Sequence, residues 1–189
     1  MFQLHAIPAR KSGSTNRVGM DNAVYNAQVV TQLYDRVHTR GQLARLWSIL
    51  TRRSRALTPL AAVEANHNIR ARHAIGVQPV PIAKIGGTEG RSGGFDCAFY
   101  PLQTHTANRW KSVATAWLEG VTLPPVLLIQ VGDSYFVRDG HHRISVLKTF
   151  GQEFIEANVV WWEIAESPAY APANGIQQLE SAPAPCGCA

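Results

Sequence analysis

Val30, Leu33, Tyr34 and Val37 fall at i, i+3, i+4 and i+7, the spacing that gathers apolar side chains on one face of a helix. Leu43, Leu46, Trp47 and Leu50 repeat it beyond Gly41. The pattern predicts two amphipathic helices packed as a hairpin, with both stripes buried as core. Residues 54–76 are weaker: Pro59 opens "LAAVEANHNIRARHAIG", a loosely helical stretch closing at Gly76. The period then changes. "VQPVPIAKI" is β-branched and broken by proline, as an edge strand and its exit would be, and "GGTEGRSGGFDCAF" is a glycine-dense loop. Thr106 can cap a helix whose apolar face is Trp110, Val113, Ala114, Trp117 and Leu118, with Gly120 at its C-terminal end. "PPVLLIQVGDSYFVR" reads as two strands joined at Val131-Gly132-Asp133, "HRISVLKTF" as a helix stopped by Gly151, and "FIEANVVWW" as a last strand.

Four segments follow from this pattern: a flexible N-terminus (1–20), a helical extension (21–76), a small mixed α/β domain (77–164) and a disordered Ala/Pro-rich tail (165–189). Hydrophobic residues make up 46% of the 189 and charged ones only 16%, which describes a globular chain with one core. No apolar run could span a bilayer, and the first residues lack the pattern of a secretory signal. A cytoplasmic protein is expected. Cys97 stands alone and Cys186 and Cys188 sit at the end, so no disulfide framework is apparent.

Charge adds a second theme. The net charge is +5, and arginine is concentrated early: Arg36, Arg40, Arg45, Arg52, Arg53 and Arg55. Such a run reads first as a solvated helix surface. Its other reading is a phosphate-contacting face on nucleic acid, with Arg45, Arg52 and Arg53 as contacts.

The densest chemistry is "RDGHHR", residues 138–143. It joins a strand to the first turn of a helix, where backbone N–H groups without intrahelical acceptors favour an anion. Gly140 lets a phosphate approach the main chain, Arg143 adds a forked donor and His142 a third. Asp139 would oppose an anion unless it caps the helix, orients a histidine or binds a bridging Mg²⁺; capping and orientation are favoured. His141 and His142 project about 100° apart on a helix and have no further ligand at metal spacing, so no metal site is predicted. A buried, hydrogen-bonded structural histidine is the plainer alternative to anion binding.

From "VPIAKI" through "GRSGGFDCAF" and "RWKSVATAWLEGVTLPPVLLIQVGDSYFVRDGHHRISVLKTFGQEFIEANVV", the chain resembles the ParB/sulfiredoxin-like superfamily over residues 77–160. In that superfamily a strand leads into a Gly-x-x-Arg helix start that binds nucleotide phosphates. Gly140-His141-His142-Arg143 matches its glycine and arginine, and His142 matches the sulfiredoxin form. Where sulfiredoxins carry their catalytic cysteine this chain has His141, so sulfinic-acid reduction is not expected. With the resemblance ending at residue 160, the further domains of a full ParB are not expected.

The resemblance implies an α+β fold and a ligand, ATP or CTP, with or without Mg²⁺, held at Gly140, His141, His142 and Arg143. It leaves two functions open. One is a nucleotide-binding, DNA-associated or regulatory protein of bacterial type, touching DNA or a protein partner through its arginine-rich helices. The other is a small-molecule kinase of the same fold, or a nucleotide hydrolase, with Asp139, Glu89 or Asp96 as candidate base, Asp139 first among them, and with Glu89, Arg91 and Asp96 in a ligand loop.

Overall fold

Helix α1 (Arg17–Thr51) runs without interruption through Gly41. A glycine inside a helix costs about 1 kcal/mol relative to alanine, and close packing explains it here. A Cβ on Gly41 would stand 3.1 Å from the Tyr100 Cβ and 3.2 Å from the Pro101 carbonyl oxygen. The expected helical hairpin is therefore one helix, and Gly41 marks a close approach, not a break. α1 ends at Arg52, whose φ of 54° is left-handed, a reversal usually given to glycine. The computed structural model describes residues 17–90 and 93–165. Of the segment expected to be flexible, residues 17–20 are helical, and 1–16 lie outside the described residues, as does the expected tail from 166.

A two-residue strand β1 (Thr58–Pro59) and a short helix α2 (Leu60–Asn66) follow, and then strand β2 (Asn68–Pro81). The helical extension expected to reach Gly76 thus ends at Asn66. Residues 68–76 form the first half of β2, because pairing with β6 (Phe154–Ala165) from Asn68↔Ala165 to Pro81↔Phe154 overrides a weak local preference. Gly76, at a φ of 95°, sits at one of two register shifts in this pairing. Pro79 and Pro81 are tolerated because β2 is an edge strand and needs no N–H on its open side.

The remaining elements are β3 (Ile85–Thr88), α3 (Ala107–Leu118), β4 (Val126–Val131), β5 (Ser134–Asp139) and α4 (His141–Thr149). Thr106 precedes α3 but does not cap it with its side chain; its hydroxyl donates back to the Gln103 carbonyl at 3.0 Å. The strands form one mixed sheet in the order β1-β3-β5-β4-β6-β2. β4 and β5 make the predicted hairpin, antiparallel, with β3 parallel to β5 and β6 parallel to β4. This is the α+β fold the sequence predicts.

Alternation along the strands fills two cores. Leu128, Val137, Ala157 and Val159 face Ile144 and Leu147 of α4, with Phe95 and Phe99 from the loop after β3. On the opposite face Ile129, Val131, Phe136 and Trp162 pack with Leu60 of α2. Trp161 and Trp162 lie within β6, one on each face: Trp162 is buried against α2, while Trp161 stacks on His73 with ring centres 5.0 Å apart.

A third cluster joins the helices, where Val30, Tyr34 and Val37 meet Trp110, Ala114 and Val146. This accounts for the first apolar stripe of α1. The second stripe, expected as core, is not covered: Leu43, Leu46, Trp47 and Leu50 are 59%, 63%, 65% and 75% exposed. Length is the reason. At 1.5 Å per residue α1 is about 50 Å long and α3 only about 18 Å, so a single neighbour cannot sheathe it.

Candidate functional site

β5 delivers the chain to Gly140, where φ is 106° and ψ 18°, a conformation L-residues avoid. The space is as restrictive as the torsion, since a Cβ would lie 2.5 Å from Val126 Cγ1 and 2.8 Å from Val126 Cβ. Gly140 is therefore required by the packing of β4, whatever binds nearby. It occupies the N-cap position of α4 and offers no side-chain cap.

Asp139, expected to cap the helix and orient a histidine, does neither. Its Oδ2 accepts from Arg143 Nη2 at 2.6 Å, one turn along. Arg143 Nη1 donates to the carbonyl oxygens of Pro124 and Pro125, at 2.6 and 2.7 Å. A guanidinium has five N–H groups in a planar fork. Here its Nη1 end fastens the lead into β4, and its Nε makes no hydrogen bond among the described residues. The Arg143 side chain is 15% exposed and the Asp139 side chain 58%, so the acid forms the outer lip and the base the inner wall.

Both histidines are buried. His141 Nε2 is hydrogen-bonded to Thr88 Oγ1 at 2.9 Å. The Phe95 ring stacks on His141 at 5.8 Å and meets His142 edge-on at 5.0 Å. Behind them Trp110 Nε1 donates to Ser145 Oγ at 2.9 Å. Thr88, Phe95, Val126 and the Pro124-Pro125 carbonyls were not foreseen. The proline pair did carry a signal, since carbonyls just before a strand need donors from outside the ladder.

Of the proposed ligand loop, Glu89 lies beside the end of β5, its N–H donating to the Val137 carbonyl at 2.9 Å. Its carboxylate takes two bonds from Arg138, at 2.7 and 2.8 Å, and these hold its pKa below the ordinary value. Asp96 is buried. Its Oδ1 accepts from the Ala98 and Tyr100 N–H groups at 3.0 and 2.8 Å, and its Oδ2 from Arg55 at 3.2 Å. These bonds hold a tight reversal in which Phe99, buried, has a φ of 62°. Asp96 is thus a structural brace. Arg91 lies outside the described residues.

Two features stand apart. Lys148, at the far end of α4, lines a cavity of about 530 Å³ with Ile82, Ile85 and Phe154, and burial lowers its pKa against the pull of Asp96. Cys97 is disulfide-bonded, against the expectation of no disulfide. Among the described residues no group of three or more His, Cys, Asp or Glu is placed to hold a metal ion, and no helix is long and apolar enough to cross a membrane.

Arg143 also borders a cavity of about 510 Å³ whose walls include Trp117, Leu123, Leu147, Phe154 and Glu156. A mostly apolar recess of this size with one forked cation suits a small ligand with an apolar body and an anionic end. Arg45, near the end of α1, and Arg52 and Arg53, just past it, are exposed, at the end that carries the exposed apolar stripe.

No protein-family model matches the chain, and no curated protein matches it. Among solved structures, sulfiredoxin from Arabidopsis thaliana is similar at 19% identity and a TM-score of 0.34. The similarity covers 44% of this chain and 82% of that one.

Proposed function

We propose that the chain is a ParB-like nucleotide-binding module, taking ATP or CTP with Mg²⁺, and that it acts as a regulator through a partner met by α1. The observation that carries the reading is the cavity beside Arg143. Its apolar walls, Trp117, Leu123 and Phe154, suit a nucleoside, while Arg143, which alone of the Gly140–Arg143 turn borders it, suits its phosphates. A phosphate arriving there competes with Asp139 for Arg143 Nη2. Displaced, the exposed Asp139 carboxylate becomes a ligand for the Mg²⁺ that accompanies the nucleotide. The kinase alternative has fewer resources. Glu89 is engaged by Arg138 and Asp96 by Arg55 and two amides, which leaves Asp139 as the candidate base.

Calorimetric titration with ATP and CTP, with and without Mg²⁺, tests the reading. Saturable binding is expected, weakened about tenfold or more by Phe154→Ser at the exposed cavity rim, and losing its Mg²⁺ dependence in Asp139→Asn. Absence of binding by either nucleotide to a folded protein overturns it. A kinase would further consume nucleotide faster when its acceptor is supplied.

A further inference from the structure

Leu43, Leu46, Trp47 and Leu50 lie on one face of α1 and are all more than half exposed. With Ala44 and Arg55 they line a recess of about 500 Å³. Contiguous exposed apolar surface marks an interaction site, and among the described residues nothing buries the stripe.

The stretch of chain that carries the stripe is of one sign. From Arg36 to Val63 the chain carries Arg36, Arg40, Arg45, Arg52, Arg53 and Arg55 and no aspartate or glutamate. Of these only Arg55 has an ion pair among the described residues, with Asp96. That pair uses Nη2, and the buried Nε of Arg55 has no hydrogen-bond partner. Arg55 also borders an adjoining cleft of about 310 Å³, with Arg45, Ser48 and Ser54. The Arg55 side chain is still 26% exposed, and its exposed part can meet a partner's carboxylate.

We infer that the end of α1 docks an acidic amphipathic helix of a protein partner. Its apolar side chains enter the recess between Leu43, Leu46, Trp47 and Leu50, and its carboxylates meet Arg45 and Arg55. The charge pattern disfavours a second copy of this chain, since pairing two such ends would set arginines against arginines. Duplex DNA would satisfy the arginines but leave the leucines and Trp47 without an apolar partner. An anionic membrane would accept both, and binding to vesicles in place of peptide is the outcome that would assign the face to a membrane. The inference goes beyond the nucleotide reading and does not depend on it.

The test uses the full chain without nucleotide. The probes are fluorescent 18-residue helical peptides with leucine at i, i+3, i+4 and i+7 and glutamate on the flanks, in several registers. Controls are the same peptides with lysine for glutamate, a 20-base-pair duplex and phosphatidylglycerol vesicles. The Leu/Glu peptides should bind saturably by anisotropy and the Leu/Lys peptides at least tenfold more weakly. Trp47→Ser and Arg45→Glu, both at exposed positions, should each reduce binding about tenfold, with circular dichroism unchanged. Failure of every Leu/Glu register to bind overturns the inference, as does binding indifferent to Trp47→Ser. So does Trp47-dependent binding of duplex or vesicles in place of peptide, or a dimer that Trp47→Ser dissociates.

Discussion

The turn into α4 and the last third of α1 both concentrate cationic side chains next to apolar ones, and they use them in opposite ways. At the turn, Arg143 is held by two carbonyls and a carboxylate, His141 by Thr88, and Gly140 by the bulk of Val126. At the end of α1, Arg45, Arg52 and Arg53 have no ion pair among the described residues, and Leu46, Trp47 and Leu50 have little cover. The first region is a joint of the fold whose outer side borders a cavity. The second contributes little to the fold and is free to meet something else. Residue type therefore says less about role than the accounting of partners does.

Substitutions at four positions can sharpen or break this contrast. Gly140→Ala carries the largest expected effect, since it meets both a disfavoured torsion and an overlap with Val126. A loss of about 3 kcal/mol or more in urea unfolding is expected. Arg143→Ala comes next, at about 2–3 kcal/mol, because two carbonyls lose a charged donor. Arg143→Lys should recover part of it. If Arg143→Ala leaves stability unchanged, the joint reading is wrong and the guanidinium is kept for a ligand alone.

The Glu89–Arg138 pair gives a smaller effect with a defined pH window. The folded-state pKa of Glu89 is depressed by the hydrogen bonds from Arg138. Its stabilisation is thus fully present above the unfolded value of 4.5 and is lost as pH falls through the lower folded value. The pair is partly solvated, at 45% and 38% exposure, so the loss should be modest. Glu89→Gln should flatten the acid limb of the stability profile. Trp47→Ser should matter least, within about 0.5 kcal/mol. A cost comparable to that of Gly140→Ala would mean the stripe is covered in solution, and the contrast between the two regions would fail.

The strand, glycine and helix sequence around residue 140 was legible because each part has a local cause: alternation in "SYFVR", a residue able to take positive φ, and helical spacing after it. The β4–β5 hairpin was legible for the same reason. Asp96 was not. It resembles a catalytic acid beside a glycine-rich loop, and only the folded loop shows it bracing the reversal at Phe99. The second half of the N-terminal region was misread because 68–76 becomes a strand only when β6 is there to pair with it.

The sequence alone determined the order of most elements, the apolar faces of the helices and the place where a glycine had to precede a helix, since these rest on interactions within a few residues. Tertiary structure decided which faces find cover and which polar groups remain for a ligand. Gly41 became a contact with Tyr100 and Pro101 instead of a break, and Leu43, Leu46, Trp47 and Leu50 were left without cover. Periodicity shows that a face is apolar. Whether the same chain supplies its partner depends on the lengths and positions of elements that meet only after folding.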